Sequence, residues 1–191
     1  MSSKEKVCVT GAGGFLASWL VNLLLSKGYI VNGTLRDPYD DKNAHLKKLE
    51  NSAENLKLFK AHLLDFAGIS GAIQGCTGVF HVASPLPPQA QLVSKDDRNT
   101  GEAESVNNDT VPYVDVRDTA EALFLVYEKP ESKGRYICSS GSIFGEGTRS
   151  WKLSSRKLQD LGWNYRPLEE TLVDSVKSYQ DSGAIIRVDA S

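Results

Sequence analysis

The sequence has few of the residues that define several large classes of protein. Its three cysteines are Cys8, Cys76 and Cys138, an odd number without the spacing of a metal site. We therefore expect a reducing compartment and no disulfide framework, with Cys8 a buried free thiol in its apolar run. Lys and Arg number 22 against 24 acidic residues, giving a net charge of −2. This balance argues against a nucleic-acid partner, which would need an excess of positive charge.

Long hydrophobic segments are also missing. Residues 1–6 pass directly into a strand, without the apolar region of a signal peptide. No apolar run is long enough to cross a bilayer, so we expect a cytoplasmic protein with no membrane partner. A length of 191 residues with 40% hydrophobic content is sufficient for one sizeable core, or for one domain with a small appendage.

Strands and helices alternate along the first part of the chain. The sequence predicts strands at 7–10, 29–35, 56–64 and 78–83. Apolar spacing predicts a helix at 15–27, and shorter helices are predicted at 43–51 and 66–74. Such alternation is typical of βαβ units. We predict an α/β fold with a Rossmann-type parallel sheet, about four N-terminal strands and helices on both faces, followed by a small C-terminal α/β portion.

The pattern changes after residue 88. Residues 89–110 are rich in Ser, Asn, Asp, Glu and Gly and predict an unstructured loop. Regular structure is expected again from residue 111. The later predictions are a helix at 118–127, a strand at 135–138, a loop at 140–150, a helix from Ser154–Ser155 and a helix from Pro167 to near Gly183.

The turn from Thr10 to Ala17 has the context of a dinucleotide-binding turn, because a strand precedes it and a helix follows. Gly11 would allow the tight turn, Gly14 would let the backbone approach a diphosphate, and Ala17 would let the helix pack closely on the strand. The helix N-terminus at Phe15 would present free N–H groups to that diphosphate. The alternative is a glycine-rich loop without a ligand.

The end of the second strand indicates which cofactor binds. Residues 29–35 contain no acid that could hold the ribose hydroxyls of NAD, whereas Arg36 and Lys42 follow. A guanidinium matches a 2′-phosphate in shape and charge, so we favour NADP(H). The alternative is that Arg36 only pairs with Asp37 on the surface.

Two further strand ends carry candidate residues. Asp65 could accept a hydrogen bond from the adenine amino group or cap a helix, and both are compatible. Small residues after the fourth strand leave room for the nicotinamide ribose, and His81 is expected to be a core histidine rather than a catalyst. The predicted cofactor-binding residues are Thr10, Gly11, Gly13, Gly14, Phe15, Leu16, Arg36, Lys42, Leu64, Asp65, Ala83 and Ser84.

These motifs resemble the plant cinnamoyl-CoA reductase and dihydroflavonol reductase group of the extended short-chain dehydrogenase/reductases. The similar segments are 7–88, 114–118, 134–140 and 153–179. The resemblance implies an NADP domain, a smaller C-terminal substrate domain and hydride transfer to an aromatic substrate, namely a phenylpropanoid thioester, an aldehyde or a flavonoid ketone. We accordingly predict a cofactor portion at 1–88, a polar loop at 89–110 and a remnant of the substrate domain at 111–191.

The chain departs from this group in its chemistry. The family uses Ser, Tyr and Lys, with Tyr-x-x-x-Lys on one helix face so that Lys lowers the Tyr pKa. No tyrosine here has a lysine four residues later, and we predict no catalytic residue. In relatives the segment between the positions of Pro88 and Pro112 is far longer, so the fourth strand should become an exposed sheet edge. A non-catalytic NADP(H)-binding form or a partial gene product is the alternative to a working reductase.

Overall fold

A parallel sheet of four strands is built from the N-terminal part of the chain. The computed structural model describes residues 5–84, 111–143, 153–183 and 185. The strands are β1 (Lys6–Thr10), β2 (Ile30–Leu35), β3 (Leu56–Lys60) and β4 (Gly78–His81). Their spatial order is β3-β2-β1-β4, and every pairing is parallel. The predicted Rossmann-type sheet with four N-terminal strands is confirmed, and β4 lies at its edge among the described residues.

The central strand β1 is buried on both faces, as parallel sheets require. Val7 and Val9 belong to the main core cluster, whereas Cys8 points to the opposite face. All three side chains are fully buried, and Cys8 is a free thiol as predicted. Apolar side chains on both faces therefore place this strand at the centre of the fold.

Helices cover both faces of this sheet. Leu20 and Leu24 of the first helix are fully buried in the core cluster with Val7 and Val9, and on the opposite face the amide of Asn32 donates to the Ala72 carbonyl at 2.7 Å. The helices of this unit are α1 (Phe15–Ser26), a 3₁₀ helix (Asp41–Lys48), α2 (Ser52–Asn55), α3 (Phe66–Ile73) and α4 (Val116–Glu128).

Helix α4 joins this first unit although it follows the polar segment in sequence. Ala120 is buried in the same core cluster, and the Tyr127 ring lies 5.2 Å from the Phe80 ring. Residues 116–135 and 160–163 therefore form one compact unit with the N-terminal residues. The predicted division at residues 88 and 110 stays a prediction, because the segment between them lies outside the described residues.

The second unit combines a small antiparallel pair with two helices. Its elements are β5 (Val111–Tyr113), β6 (Gly141–Ile143), α5 (Arg156–Gln159) and α6 (Leu168–Asp181). The last two confirm the helices predicted from Ser154–Ser155 and from Pro167. Helix α6 has no buried residue.

The strand predicted at 135–138 is wrong, because the strand forms at Gly141–Ile143, inside the predicted loop. Pairing with β5 decides its position: the Ser140 N–H donates to the Tyr113 carbonyl at 2.9 Å, and such tertiary pairing overrides local preference in short strands. The predicted loop at 89–110 lies outside the described residues.

Candidate dinucleotide-binding site

The turn between β1 and α1 is closed by main-chain and threonine contacts. Gly11 has a φ of +66°, a conformation that favours glycine. Its carbonyl accepts from the Gly14 N–H at 2.9 Å, and its own N–H lies 3.3 Å from Thr34 Oγ1. The Ala12 N–H donates to the Thr34 carbonyl at 3.0 Å. The turn is therefore fixed against the end of β2.

The N-terminus of α1 is open toward solvent. Gly14 is the N-cap residue and no side chain caps the helix, so the first-turn N–H groups are available to an anion. Phe15 is 76% exposed, whereas Leu16 packs against the core. A Cβ at Gly14 would lie 3.3 Å from the Gly11 carbonyl oxygen.

The carboxyl ends of β1 and β4 meet beside this turn. Thr10 Oγ1 lies 2.9 Å from His81 Nδ1 and accepts from the Ala83 N–H at 3.2 Å. A Cβ on Gly11 would come within 2.9 Å of the Ala83 Cβ, so glycine permits the close approach. Ser84 follows and is exposed.

The expectation that His81 is a core histidine is wrong, because its side chain is exposed. It lies at the end of the edge strand, on the face opposite the Phe80 side chain. Sequence reasoning missed its contact with Thr10, since the two residues are 71 positions apart.

The two predicted phosphate-binding cations follow β2 at the surface. Arg36 and Lys42 are both exposed. Lys42 Nζ lies 2.5 Å from Asp40 Oδ2, and this hydrogen bond lowers the pKa of the Asp40 carboxyl. Asp37 accepts from the Tyr39 N–H at 3.0 Å, and no ion pair joins it to Arg36 in the part of the chain that the structure describes. Both cations are therefore at the surface, and Lys42 is paired with Asp40.

Asp65 caps helix α3. Its Oδ1 accepts from the Gly68 N–H at 3.0 Å, so the capping role is confirmed, while its contact with adenine stays a prediction. Leu64 is 90% exposed beside it. These two residues present an apolar side chain and a carboxylate to solvent after β3.

Two residues near this site were not anticipated from the sequence. Asn43 is buried and its amide donates to the Asp37 carbonyl at 2.9 Å. His45 is exposed and its Nε2 lies 2.8 Å from Ser18 Oγ on α1. Both lie in the 3₁₀ helix that carries Lys42. Both are polar residues within a charged segment, and this pattern does not indicate either contact.

Metal and membrane features are not found in the described ranges. No group of His, Cys, Asp and Glu among them could hold a metal ion. None of the helices described is both long enough and apolar enough to traverse a bilayer. The sheet order, the glycine turn and the open helix N-terminus instead define a Rossmann-type dinucleotide-binding protein.

Comparison with known proteins narrows this class. Residues 8–91 match the family model of GDP-mannose 4,6 dehydratase. Cinnamoyl-CoA reductase 1 of Petunia hybrida is 29% identical over 313 aligned positions, covering 95% of this chain and 94% of the relative. A tetraketide alpha-pyrone reductase of Arabidopsis thaliana is 59% identical over 85 residues, covering 44% of this chain and 26% of the relative. Over most of its length the chain is thus similar to cinnamoyl-CoA reductases, and a shorter part of it is more strongly similar to another plant reductase.

A solved structure has the same fold. Vestitone reductase from alfalfa superposes with a TM-score of 0.77 at 20% identity, covering 95% of this chain and 100% of that chain. At this identity the likeness concerns the fold.

The petunia alignment also shows that the relative is longer than this chain. It spans 313 positions, whereas this chain has 191 residues. Because the alignment is longer than this chain, the relative has residues within the aligned region that this chain lacks. The predicted absence of a long internal segment agrees with this gap.

Proposed function

We propose that this protein is an NADP(H)-dependent oxidoreductase that reduces the carbonyl group of a phenylpropanoid thioester, an aldehyde or a flavonoid. The observation that carries the proposal is the combination of the uncapped α1 N-terminus with two exposed cations after β2. The α1 N-terminus would bind a diphosphate, and the two cations would distinguish a 2′-phosphate from a ribose hydroxyl. Few ligands other than NADP(H) carry both groups.

The residues present fit each part of this cofactor. The first-turn amides after Gly14 would hold the diphosphate, and Arg36 with Lys42 would hold the 2′-phosphate. Asp65 would accept from the adenine amino group, and Ala83 with Ser84 would border the nicotinamide ribose. NADPH supplies the hydride, whereas the protein binds and orients the nicotinamide.

The names of similar proteins support the substrate class. Relatives include cinnamoyl-CoA reductases, a tetraketide alpha-pyrone reductase and a putative anthocyanidin reductase from Ginkgo biloba. Yeast Gre2, a methylglyoxal/isovaleraldehyde reductase solved with NADPH, shares the fold with a TM-score of 0.66. The named compounds include a thioester, a pyrone and aldehydes, which contain a carbonyl group, and several of the named compounds are aromatic.

A second candidate function is NADP(H) binding without catalysis. None of the seven tyrosines has a lysine four residues later, so the sequence lacks the Tyr-x-x-x-Lys arrangement in which a lysine assists proton donation by a tyrosine. Tyr113 has Arg117 at that spacing, and an arginine does not share its proton at neutral pH.

Two measurements separate these functions. Calorimetry with NADP+ tests binding, and NADPH oxidation with a hydroxycinnamoyl-CoA or a dihydroflavonol tests turnover. Gly14→Asp places a carboxylate where the diphosphate approaches and is the control for both. Turnover above this control supports the reductase, binding without turnover supports the non-catalytic form, and no detectable binding contradicts both.

The edge strand suggests an association that the same protein could make. We propose that β4 pairs with another chain, because unpaired edges present free main-chain groups. Val79→Lys would place a charge on this half-exposed strand and should abolish any dimer seen by light scattering. An unchanged dimer would contradict pairing at β4.

We propose a cytoplasmic location for the protein.

A further inference from the structure

The segment that carries Lys42 is held directly on the phosphate turn. Asn43 is buried with its side-chain oxygen against Gly13, so a Cβ at position 13 would overlap Asn43 Oδ1. The same hypothetical Cβ would lie 3.0 Å from Leu35 Cδ2. Glycine at position 13 therefore makes room for Asn43, apart from any contact with a diphosphate.

A second contact connects the same two parts. His45 Nδ1 lies 2.8 Å from the Lys42 carbonyl oxygen, and because a carbonyl only accepts, Nδ1 carries a proton. His45 Nε2 lies 2.8 Å from Ser18 Oγ, which lies 2.8 Å from the Gly14 carbonyl oxygen. The Ser18 hydroxyl has one proton, which it can donate either to Nε2 of a neutral His45 or to the Gly14 carbonyl. These polar contacts place the backbone of Lys42 beside the N-cap of α1.

We propose that Asn43 and His45 are positioning residues that set the preference for NADP(H) over NAD(H), an inference that rests on the proposed function. They fix the backbone of the Lys42 segment relative to Gly13 and Gly14. The distance between Lys42 and the α1 N-terminus is then suited to one cofactor that binds through its 2′-phosphate and its diphosphate together. Lys42 has a flexible side chain, and its ammonium reaches a phosphate reliably only when its backbone is fixed. Small displacements of binding groups have large effects on affinity.

The test compares two nucleotides that differ only in the 2′-phosphate. Dissociation constants for NADP+ and NAD+ are measured by calorimetry, and the NAD+ constant divided by the NADP+ constant reports the preference for NADP+. Asn43→Ala should lower this ratio about tenfold by weakening NADP+ binding, the size expected for losing one charged contact. NAD+ binding should change less than about twofold. Lys48→Ala, which removes a positive charge from the same 3₁₀ helix, is the matched control and should preserve the ratio.

His45→Leu provides a second variant whose folding is not at risk, because His45 is exposed. It should lower the ratio in the same direction, and it decides the test if Asn43→Ala loses cooperative melting. An unchanged ratio in folded variants, or equal weakening of both nucleotides, would overturn the positioning role while leaving the proposed function intact. Wild-type protein that binds neither nucleotide would instead overturn the proposed function.

Discussion

At the scale of single residues, the proposed role of Arg36 in the choice of cofactor leads to a direct prediction. Arg36→Ala should weaken NADP+ binding by about ten- to a hundredfold, because a charge-assisted contact with the 2′-phosphate is lost. NAD+ has no such phosphate and should bind as before. Calorimetry with both nucleotides measures the difference, and Lys48→Ala controls for the loss of one positive charge. Equal loss for both nucleotides would contradict 2′-phosphate recognition.

The burial of the Cys8 thiol leads us to expect that the free energy of unfolding depends on pH. Burial raises the pKa of this thiol to about 11 from 9.0. Because the folded thiol holds its proton more tightly than the unfolded one, its contribution is complete below pH 9 and is lost between pH 9 and about 11.

Denaturant unfolding of wild type and Cys8→Ala should therefore give curves of stability against pH that converge across this interval. Parallel curves would show that the buried thiol does not titrate differently in the two states. The comparison with Cys8→Ala removes the contribution of Tyr29, whose pKa is also raised by burial and by its hydrogen bond to Glu128.

Some site residues could be predicted from the sequence and others could not. The local order of residues was sufficient to place Arg36 and Lys42 at the surface after β2 and to predict the helix cap of Asp65, whereas their contacts with a cofactor stay predictions. The contact of Thr10 with His81 joins residues 71 positions apart, and that of Gly13 with Asn43 crosses from one βα connection to the next. Such contacts depend on how the chain folds back and leave no local signature.

At the scale of elements, β4 and α4 are coupled through Gly78. A Cβ there would overlap the Tyr127 ring, whose hydroxyl lies 2.8 Å from Thr77 Oγ1. Gly78→Ala should lower the free energy of unfolding by about 1–3 kcal/mol, the usual effect of overpacking. Thermal or denaturant unfolding measures it.

Gly71 supplies the matched control for that substitution. It lies in α3 and a Cβ there would meet nothing within 4 Å, so Gly71→Ala should stabilise by about 0.5–1 kcal/mol through helix propensity. Replacing Tyr127 by Leu together with Gly78→Ala should cost less than the sum of the two single changes. Additive effects would show that the two residues do not interact.

Periodic elements were easier to predict than short ones. Strand β1 and helix α1 follow clear apolar patterns, and both formed within a residue or so of the predicted bounds. The segment predicted as one helix at 43–51 is instead a 3₁₀ helix followed by α2. Asp40 and Asn43 bond to nearby main chain there, and such bonds compete with a regular helix.

At the scale of the whole molecule, α6 should be the least protected long helix among those described. It has no buried residue, and Leu172, Val173 and Val176 are exposed, whereas five residues of α1 are buried. Few buried contacts mean low local stability. Hydrogen exchange should therefore be faster in α6 than in α1, and equal protection would show that another surface covers the exposed apolar residues.

The contact between Gly13 and Asn43 has a consequence for engineering and for evolution. The two positions cannot vary independently, because a side chain at one occupies the space required by the other. An exchange of the residue 36–42 segment for that of an NAD enzyme would have to include position 43, and alanine at position 13 should be accepted only with a smaller residue there. A side chain introduced at position 13 is thus expected to require a second change at position 43.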